Sequence, residues 1–319
     1  MNDTGILNIY KPAEMTSHDV VAIIRKKLGV KRVGHTGTLD PMATGVLPVC
    51  VGQAARITEY LDLDYKTYLC SMILGKTTDT QDIWGQVIEE KSTDDISEED
   101  ILIAFRPFRG IIDQKPPMYS AVRVNGRRLY EYAREGKEVE VKTRRIYIDD
   151  LTVKNIDLAR RQVDFSVRCS KGTYIRTICQ DVGLALGCGA AMSALERTAS
   201  GAFKAEDAIP LEKIRRLEQK QVSEMMTGAD FPLIHFGKVT VDSLGARLFT
   251  NGNRLPAKVC HIEREPEYMD KEPALPIRPE YRHAYNVYQQ EGDREQFLGV
   301  AFFNSKYNDF KADKVLFKR

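Results

Sequence analysis

Residues 34–45, GHTGTLDPMATG, rule out regular structure over a long stretch near the start of the chain. Gly34, Gly37 and Gly45 share it with Pro41, and in a helix interior glycine costs roughly 1 kcal/mol and proline about 3. The run also lacks the apolar alternation of a strand. It is a shaped loop, and any fold for this chain must be built to hold it. Turn chemistry explains part of it, because Asp40 before Pro41 starts a turn and glycines permit positive φ. A connection with three glycines that presents both His35 and Asp40 is nevertheless more elaborate than joining two elements requires. Asp40 is therefore a candidate catalytic acid.

With 319 residues, 43% of them hydrophobic and 29% charged, the chain has the balance of a globular protein with room for one large and one small domain. The net charge of +2 is nearly neutral overall but hides local patches. The start, MNDTGILNIYKP, lacks the basic and apolar regions of a signal peptide, and no apolar run reaches the length of a membrane span, so a cytoplasmic protein is expected. Cys50, Cys70, Cys169, Cys179, Cys188 and Cys260 show no CxxC and no Cys/His pairing. They read as reduced, mostly buried thiols without a metal site. No phosphate loop or dinucleotide fingerprint is present, so no cofactor is expected.

Local signals predict a strand over 5–10, then a helix with a Thr16/Asp19 capping box, apolar Val20, Ile23, Ile24 and Leu28, and Gly29 past its end. A further helix is expected over 54–61. In the strand 66–75, Tyr68, Cys70, Met72 and Leu74 share one face. The polar turn TTDTQDIWGQ follows with Asp79, Asp82 and Trp84, then a helix begun by Ser97 and Asp100. Strands are predicted at 139–153, 162–169 and 191–199, and helices after Thr173 and over 211–227. Short strands with one helix are predicted beyond 238, and an exposed loop over 263–285.

Two features point to an anionic partner. Between 106 and 145, basic residues including Arg123, Arg127 and Arg128 interleave with Tyr119, Tyr130 and Tyr132, around Pro116-Pro117 and Asn125-Gly126. Basic and aromatic groups together grip phosphates and stack bases. Arg176 falls in the first turn of its helix, where a cation opposes the helix dipole and calls for a nearby anion.

Five separated motifs, in order, carry a family resemblance: KPAEMTSHDVV (11–21), GHTGTLDPMATGVLPVCVGQAAR (34–56), KTY (66–68), KPPMYSAVRVNGRRLYEYAREG (115–136) and SKGTYIRT (170–177). The chain resembles the bacterial tRNA pseudouridine synthases of the TruB type, which modify the T-loop uridine at tRNA position 55. Glu14 stands where that family usually has glycine, and 263–285 is longer than usual. The resemblance implies an α+β fold: a catalytic domain over 1–232 around a mixed, mainly antiparallel sheet, with a thumb insertion at about 113–143, and a small β-rich PUA-like RNA-binding domain over 233–319. It implies Asp40 as the catalytic aspartate, Tyr68 as the ring packed on the target uracil and Arg176 as the ion-pair partner of Asp40. His35 would fill the space left by the flipped uridine, and Lys11, Tyr174, Arg123, Arg127 and Arg128 would bind substrate. The expected partner is tRNA, with no metal, cofactor, membrane, guide RNA or protein partner, and the expected state is a monomer. A non-catalytic RNA-binding protein on the same scaffold and a guide-RNA-dependent relative are the alternatives. Asp40 and Arg176 argue against the first, and the basic thumb against the second.

Overall fold

The computed structural model describes residues 4–317. Residues 1–3, the beginning of the segment inspected for a leader, and 318–319, the end of the last strand-like piece, lie outside the described residues. Strand β1 (Gly5–Lys11) leads into helix α1 (Ser17–Leu28). Thr16 caps α1 through the Asp19 amide while Asp19 accepts from the Thr16 amide, and Gly29 ends the helix in the left-handed conformation. β2 (Val33–His35) and β3 (Thr44–Val51) flank the glycine-rich loop. The helix expected over 54–61 is a 3-10 helix, Gly52–Leu63. It has no side-chain cap and is kinked at Leu61.

β4 (Lys66–Leu74), β5 (Lys76–Thr78), β6 (Val87–Glu90), α2 (Glu98–Phe105) and β7 (Gly110–Gln114) follow, α2 with the Ser97/Asp100 capping box. β8 (Arg123–Val124) and β9 (Arg127–Arg128) form a hairpin, continued by α3 (Leu129–Arg134). Next are β10 (Arg144–Asp157), β11 (Gln162–Cys169), α4 (Ile175–Ala185) and β12 (Ala190–Ser200). β10 begins later than expected because it pairs with β7 from Arg144 opposite Gln114, where β7 ends.

β13 (Phe203–Lys204) and β14 (Ile209–Pro210) precede two short helices, α5 (Leu211–Arg216) and α6 (Gln219–Glu224), where one longer helix was expected. The chain is extended at Leu217, and the Lys27 ammonium donates to the Arg215 and Leu217 carbonyls at 2.9 and 2.8 Å. Those carbonyls find an outside partner at the break. The carboxyl-terminal part holds β15 (Gly237–Val241), α7 (Ser243–Thr250), β16 (Leu255–Pro256), β17 (Cys260–Arg264), β18 (Ala284–Glu291), β19 (Arg294–Asn304) and β20 (Asp309–Val315).

By proximity of its parts the chain divides into two compact units. The first comprises Met1–Asp40, Val46–Asp64 and Gly201–Arg319. Within it, β1 lies between β14, its parallel partner, and β3. A second sheet has the order β16-β20-β19-β18-β15-β17, all antiparallel except β15–β18. A core of Ile6, Val46, Ile57, Tyr60, Phe236, Tyr281 and Val300 lies in this unit. The expected exposed loop at 263–285 is only partly that, since Tyr281 packs edge-on against Tyr60 and is almost fully buried.

The second unit comprises Pro41–Gly45 and Tyr65–Ser200. Its strands run in the order β12-β4-β11-β10-β7, all antiparallel. One face of β4 buries Tyr68, Cys70, Met72 and Leu74, as the alternation predicts. Two helices lie on that face. Phe105 of α2 meets Phe165, the register partner of Cys70, at 5.1 Å between ring centroids, and Cys179 of α4 reaches Cys70 at 3.6 Å between sulfurs.

Candidate active site

The glycine-rich loop is anchored from its own backbone upward. The Leu39 amide donates to the Ser17 hydroxyl at 2.9 Å, and that hydroxyl donates to the Leu39 carbonyl at 3.1 Å. Both residues are buried, so the first residue of α1 satisfies the peptide immediately before Asp40. Asp40 itself is partly exposed. At the loop entrance the Thr36 amide donates to the Pro48 carbonyl, extending the β2–β3 pairing in which His35 faces Val49. The His35 ring stands edge-to-face to His18 with centroids 5.4 Å apart.

At the loop exit, Thr44 and Gly45 pair in parallel with Glu196 and Arg197 of β12. Gly45 has φ 101°, and a Cβ there would lie 2.2 Å from the Arg197 carbonyl oxygen. Only glycine fits this approach. Arg197 is in turn the register partner of Tyr68 on β4. Two strand spacings therefore separate the end of the acid-bearing loop from Tyr68, about 10 Å.

Arg176 lies one turn before Cys179 on α4, and Tyr68 two residues before Cys70 on β4. The sulfur contact thus places Arg176 in the helix that covers the Tyr68 face of the sheet. Arg176 is only 5% exposed. Its guanidinium donates to the Thr80 carbonyl at 2.9 Å and the Tyr119 carbonyl at 3.0 Å, and forms an ion pair with Asp82 at 3.5 Å. Asp82, also buried, accepts in addition from the Thr80 hydroxyl at 2.8 Å and the Trp84 amide at 3.0 Å. A buried charge pair is costly unless its remaining hydrogen bonds are made, and here several are.

Tyr174 occupies the N-cap of α4 without capping it by its side chain. Gln114 does the work, with its amide nitrogen donating to the Tyr174 carbonyl at 3.0 Å and its oxygen accepting from the Tyr174 amide at 2.8 Å. Lys11 is fully buried. Its ammonium donates to the Pro12 and Met15 carbonyls at 2.7 and 2.6 Å, closing the turn in which Glu14 takes φ 61°. The departure from glycine at position 14 thus falls at a left-handed residue.

Arg123, Arg127 and Arg128 are grouped by the β8–β9 hairpin, whose turn residues Asn125 and Gly126 have φ 50° and 82°. Both central residues are left-handed, as the Asn-Gly pair suggests. Arg123 and Arg127 are exposed, and Arg127 lies 4.8 Å over the Tyr132 ring and is paired with Glu135. Hydrogen bonds from Arg127 and Lys137 hold the Glu135 carboxyl down to about 2. Arg128 lies 5.7 Å from the Tyr130 ring centre and donates to its hydroxyl.

The structure therefore puts Arg176 in the helix over the Tyr68 face of the sheet, with the loop exit two strands from Tyr68, and groups the hairpin arginines as a surface cluster. Sequence reasoning assigned no role to Ser17, Asp82 or Gln114. Asp82 had a usable signal, a second acid in a turn followed by glycine, whereas nothing around Ser17 marks it as a partner of Leu39.

An α+β chain with a mixed, mainly antiparallel sheet and a small β-rich carboxyl-terminal part has the fold of the pseudouridine synthases, and the solved Cbf5–Nop10–Gar1 complex contains a similar chain. The likeness has TM-score 0.71 and 26% identity, over 99% of this chain and 85% of that one. Residues 25–175 match the TruB family pseudouridylate synthase N-terminal domain, and residues 176–230 match the tRNA pseudouridylate synthase B C-terminal domain. The chain is 46% identical to tRNA pseudouridine synthase B of Alkaliphilus oremlandii over 93% of its length and 97% of that protein's. It is 42% identical to the protein of the same name from Clostridium novyi over 98% and 99%. The chain belongs to the TruB family. It is a tRNA pseudouridine synthase, an isomerase that converts uridine to pseudouridine in tRNA.

Proposed function

We propose that the chain acts alone on the T-loop uridine at tRNA position 55, with Asp40 as its catalytic carboxylate. The reaction breaks the bond from ribose C1′ to N1, turns the uracil and rejoins it through C5; the proton lost from C5 is balanced by one taken up at N1. No electrons and no water are consumed. A carboxylate suits this chemistry as nucleophile or as base toward the sugar. Tyr68 packs on the uracil, Arg176 pairs with Asp40 and favours its ionised form, and His35 takes the place of the base when it leaves the stack. Lys11 binds substrate from the turn it holds ahead of α1, the base on which Ser17 stands.

Tyr174 and the arginines at 123, 127 and 128 contact the RNA, the arginines from the thumb at about 113–143. In this reading residues 1–232 are catalytic and 233–319 form the PUA-like RNA-binding domain. The enzyme works as a monomer in the cytoplasm.

The observation that carries this reading is the register Gly45–Arg197–Tyr68, which ties the exit of the Asp40 loop to the strand of the stacking ring. Independence of a guide is supported by 42–46% identity to proteins named tRNA pseudouridine synthase B, against 26% to the chain of the Cbf5–Nop10–Gar1 complex. The test is incubation of the purified protein with an unmodified tRNA transcript and nothing else, followed by mapping of pseudouridine. Conversion at the T-loop uridine is expected. Absence of product, or product elsewhere, overturns the reading.

A further inference from the structure

The turn that holds Arg176 carries the chain's single tryptophan, and it faces water: Trp84 is 55% exposed and its neighbour Ile83 45%. A lone exposed apolar residue is ordinary, but here an indole, among the larger apolar groups a chain can bury, stands exposed beside Ile83 on one ordered turn. The turn is well held. The Ile83 amide donates to the Met192 carbonyl at 2.9 Å, the Met192 amide to the Gln81 carbonyl at 3.0 Å, and the Trp84 amide to the Asp82 carboxylate at 3.0 Å. At Gly85 a Cβ would fall 2.2 Å from the Thr80 hydroxyl, so the turn closes tightly on itself. Thus the indole is presented by a fixed backbone, two residues from the carboxylate that pairs with Arg176.

The described cations around it are already paired, Arg176 with Asp82 among them. On the adjoining β5–β6 hairpin Lys76 pairs with Glu90 and Lys91 with Glu89. The Tyr119 hydroxyl reaches Asp79 of the same turn at 3.4 Å, which brings a second aromatic residue close. An aromatic surface on a fixed turn whose neighbouring cations are already paired suits the face of a nucleobase better than a phosphate, which would need uncompensated cations.

We propose that Trp84 is a stacking platform for an unpaired base of the tRNA substrate, next to the nucleotide being modified. The proposal rests on the reading that Arg176 marks the active site. Because every tryptophan signal comes from residue 84, the contact reports on itself. Titration of the full-length protein with unmodified tRNA transcript should quench Trp84 emission along the same saturation curve as filter binding. Trp84→Ala should raise the tRNA Kd about fivefold to a hundredfold, the range that stacking of one base gives. The loss should fall on Kd more than on the single-turnover rate at saturating enzyme, and Trp84→Phe should recover most of the affinity.

Unchanged emission while tRNA binds and pseudouridine forms overturns this proposal alone, as does unchanged affinity in Trp84→Ala. If wild type forms no pseudouridine in the transcript, the proposed function and this inference fall together. Quenching that follows protein concentration without tRNA assigns the surface to a second protein molecule and also overturns it.

Discussion

The acid-bearing loop and the arginine hairpin are both short segments turned by glycine, and they are held in opposite ways. Around Asp40 the chain is fixed by buried backbone: Leu39 by the Ser17 hydroxyl, Met42 and Ala43 inside the protein, and Gly45 against the Arg197 carbonyl. The hairpin is turned by Asn125-Gly126 and tied by short-range bonds, the Leu129 amide to the Val122 carbonyl and the Tyr132 hydroxyl to the Val124 carbonyl, and its register sets Arg123 opposite Arg128, a like-charge pairing that disfavours the strands. In the proposed function Asp40 must reach one atom, and although it is itself partly exposed, the chain on either side of it is built into the core, where displacement costs packing. Arg127 and Arg128, which the proposed function sets against the tRNA backbone, stay at the surface, Arg127 paired with Glu135 and each lying against a tyrosine ring.

The contrast breaks most sharply at Asp40. Asp40→Asn should lower turnover about a thousandfold or more while tRNA binding changes by less than about twofold. Wild-type pseudouridine yields from the variant would reduce the loop to architecture. Gly45→Ala should cost about 3 kcal/mol or more, because it combines an unfavourable φ with a clash against backbone. An unchanged denaturant midpoint would mean that the close approach at Arg197 is slack.

Ser17→Ala leaves the Leu39 amide and carbonyl without their partner inside the protein. It should cost about 1–3 kcal/mol and lower turnover more than tRNA affinity. Equal losses in both would show that Ser17 supports the fold rather than the loop.

At the hairpin the order reverses. Replacing Arg123, Arg127 and Arg128 with glutamine should weaken tRNA binding and flatten its salt dependence by about two units of log–log slope. Unfolding should move by less than about 0.5 kcal/mol. A slope equal to that of wild type would remove the hairpin from the contact surface.

The smallest effect is at the helix that supports the loop. Hydrogen bonds from Thr16 hold the Asp19 carboxyl below its usual range. Its contribution is present above the unfolded value of about 4 and is lost as pH falls through the folded one. The stability gap between wild type and Asp19→Ala should therefore narrow on acidification below about pH 4 in thermal unfolding. A gap independent of pH would show that the cap does not work through the charge.

What the sequence determined by itself was short-range. Thr16 with Asp19 and Ser97 with Asp100 form the boxes their spacing predicts, Asn125-Gly126 makes the left-handed turn, and β4 alternates as read. Each depends on residues within one turn or one strand, where backbone geometry leaves few choices. The family motifs pointed to Asp40, Tyr68 and Arg176, but not to the groups around them.

Tertiary structure decided those groups. It brought the Thr80 and Tyr119 carbonyls, 96 and 57 residues away, to Arg176, and the Leu39 peptide to Ser17 from 22 residues away. It also ended α5 where Lys27 reaches carbonyls 188 and 190 residues downstream. A buried hydroxyl, guanidinium or ammonium must be satisfied, but its own sequence does not say by what. Any carbonyl the fold brings within 3 Å will serve, and only the packed chain determines which one arrives.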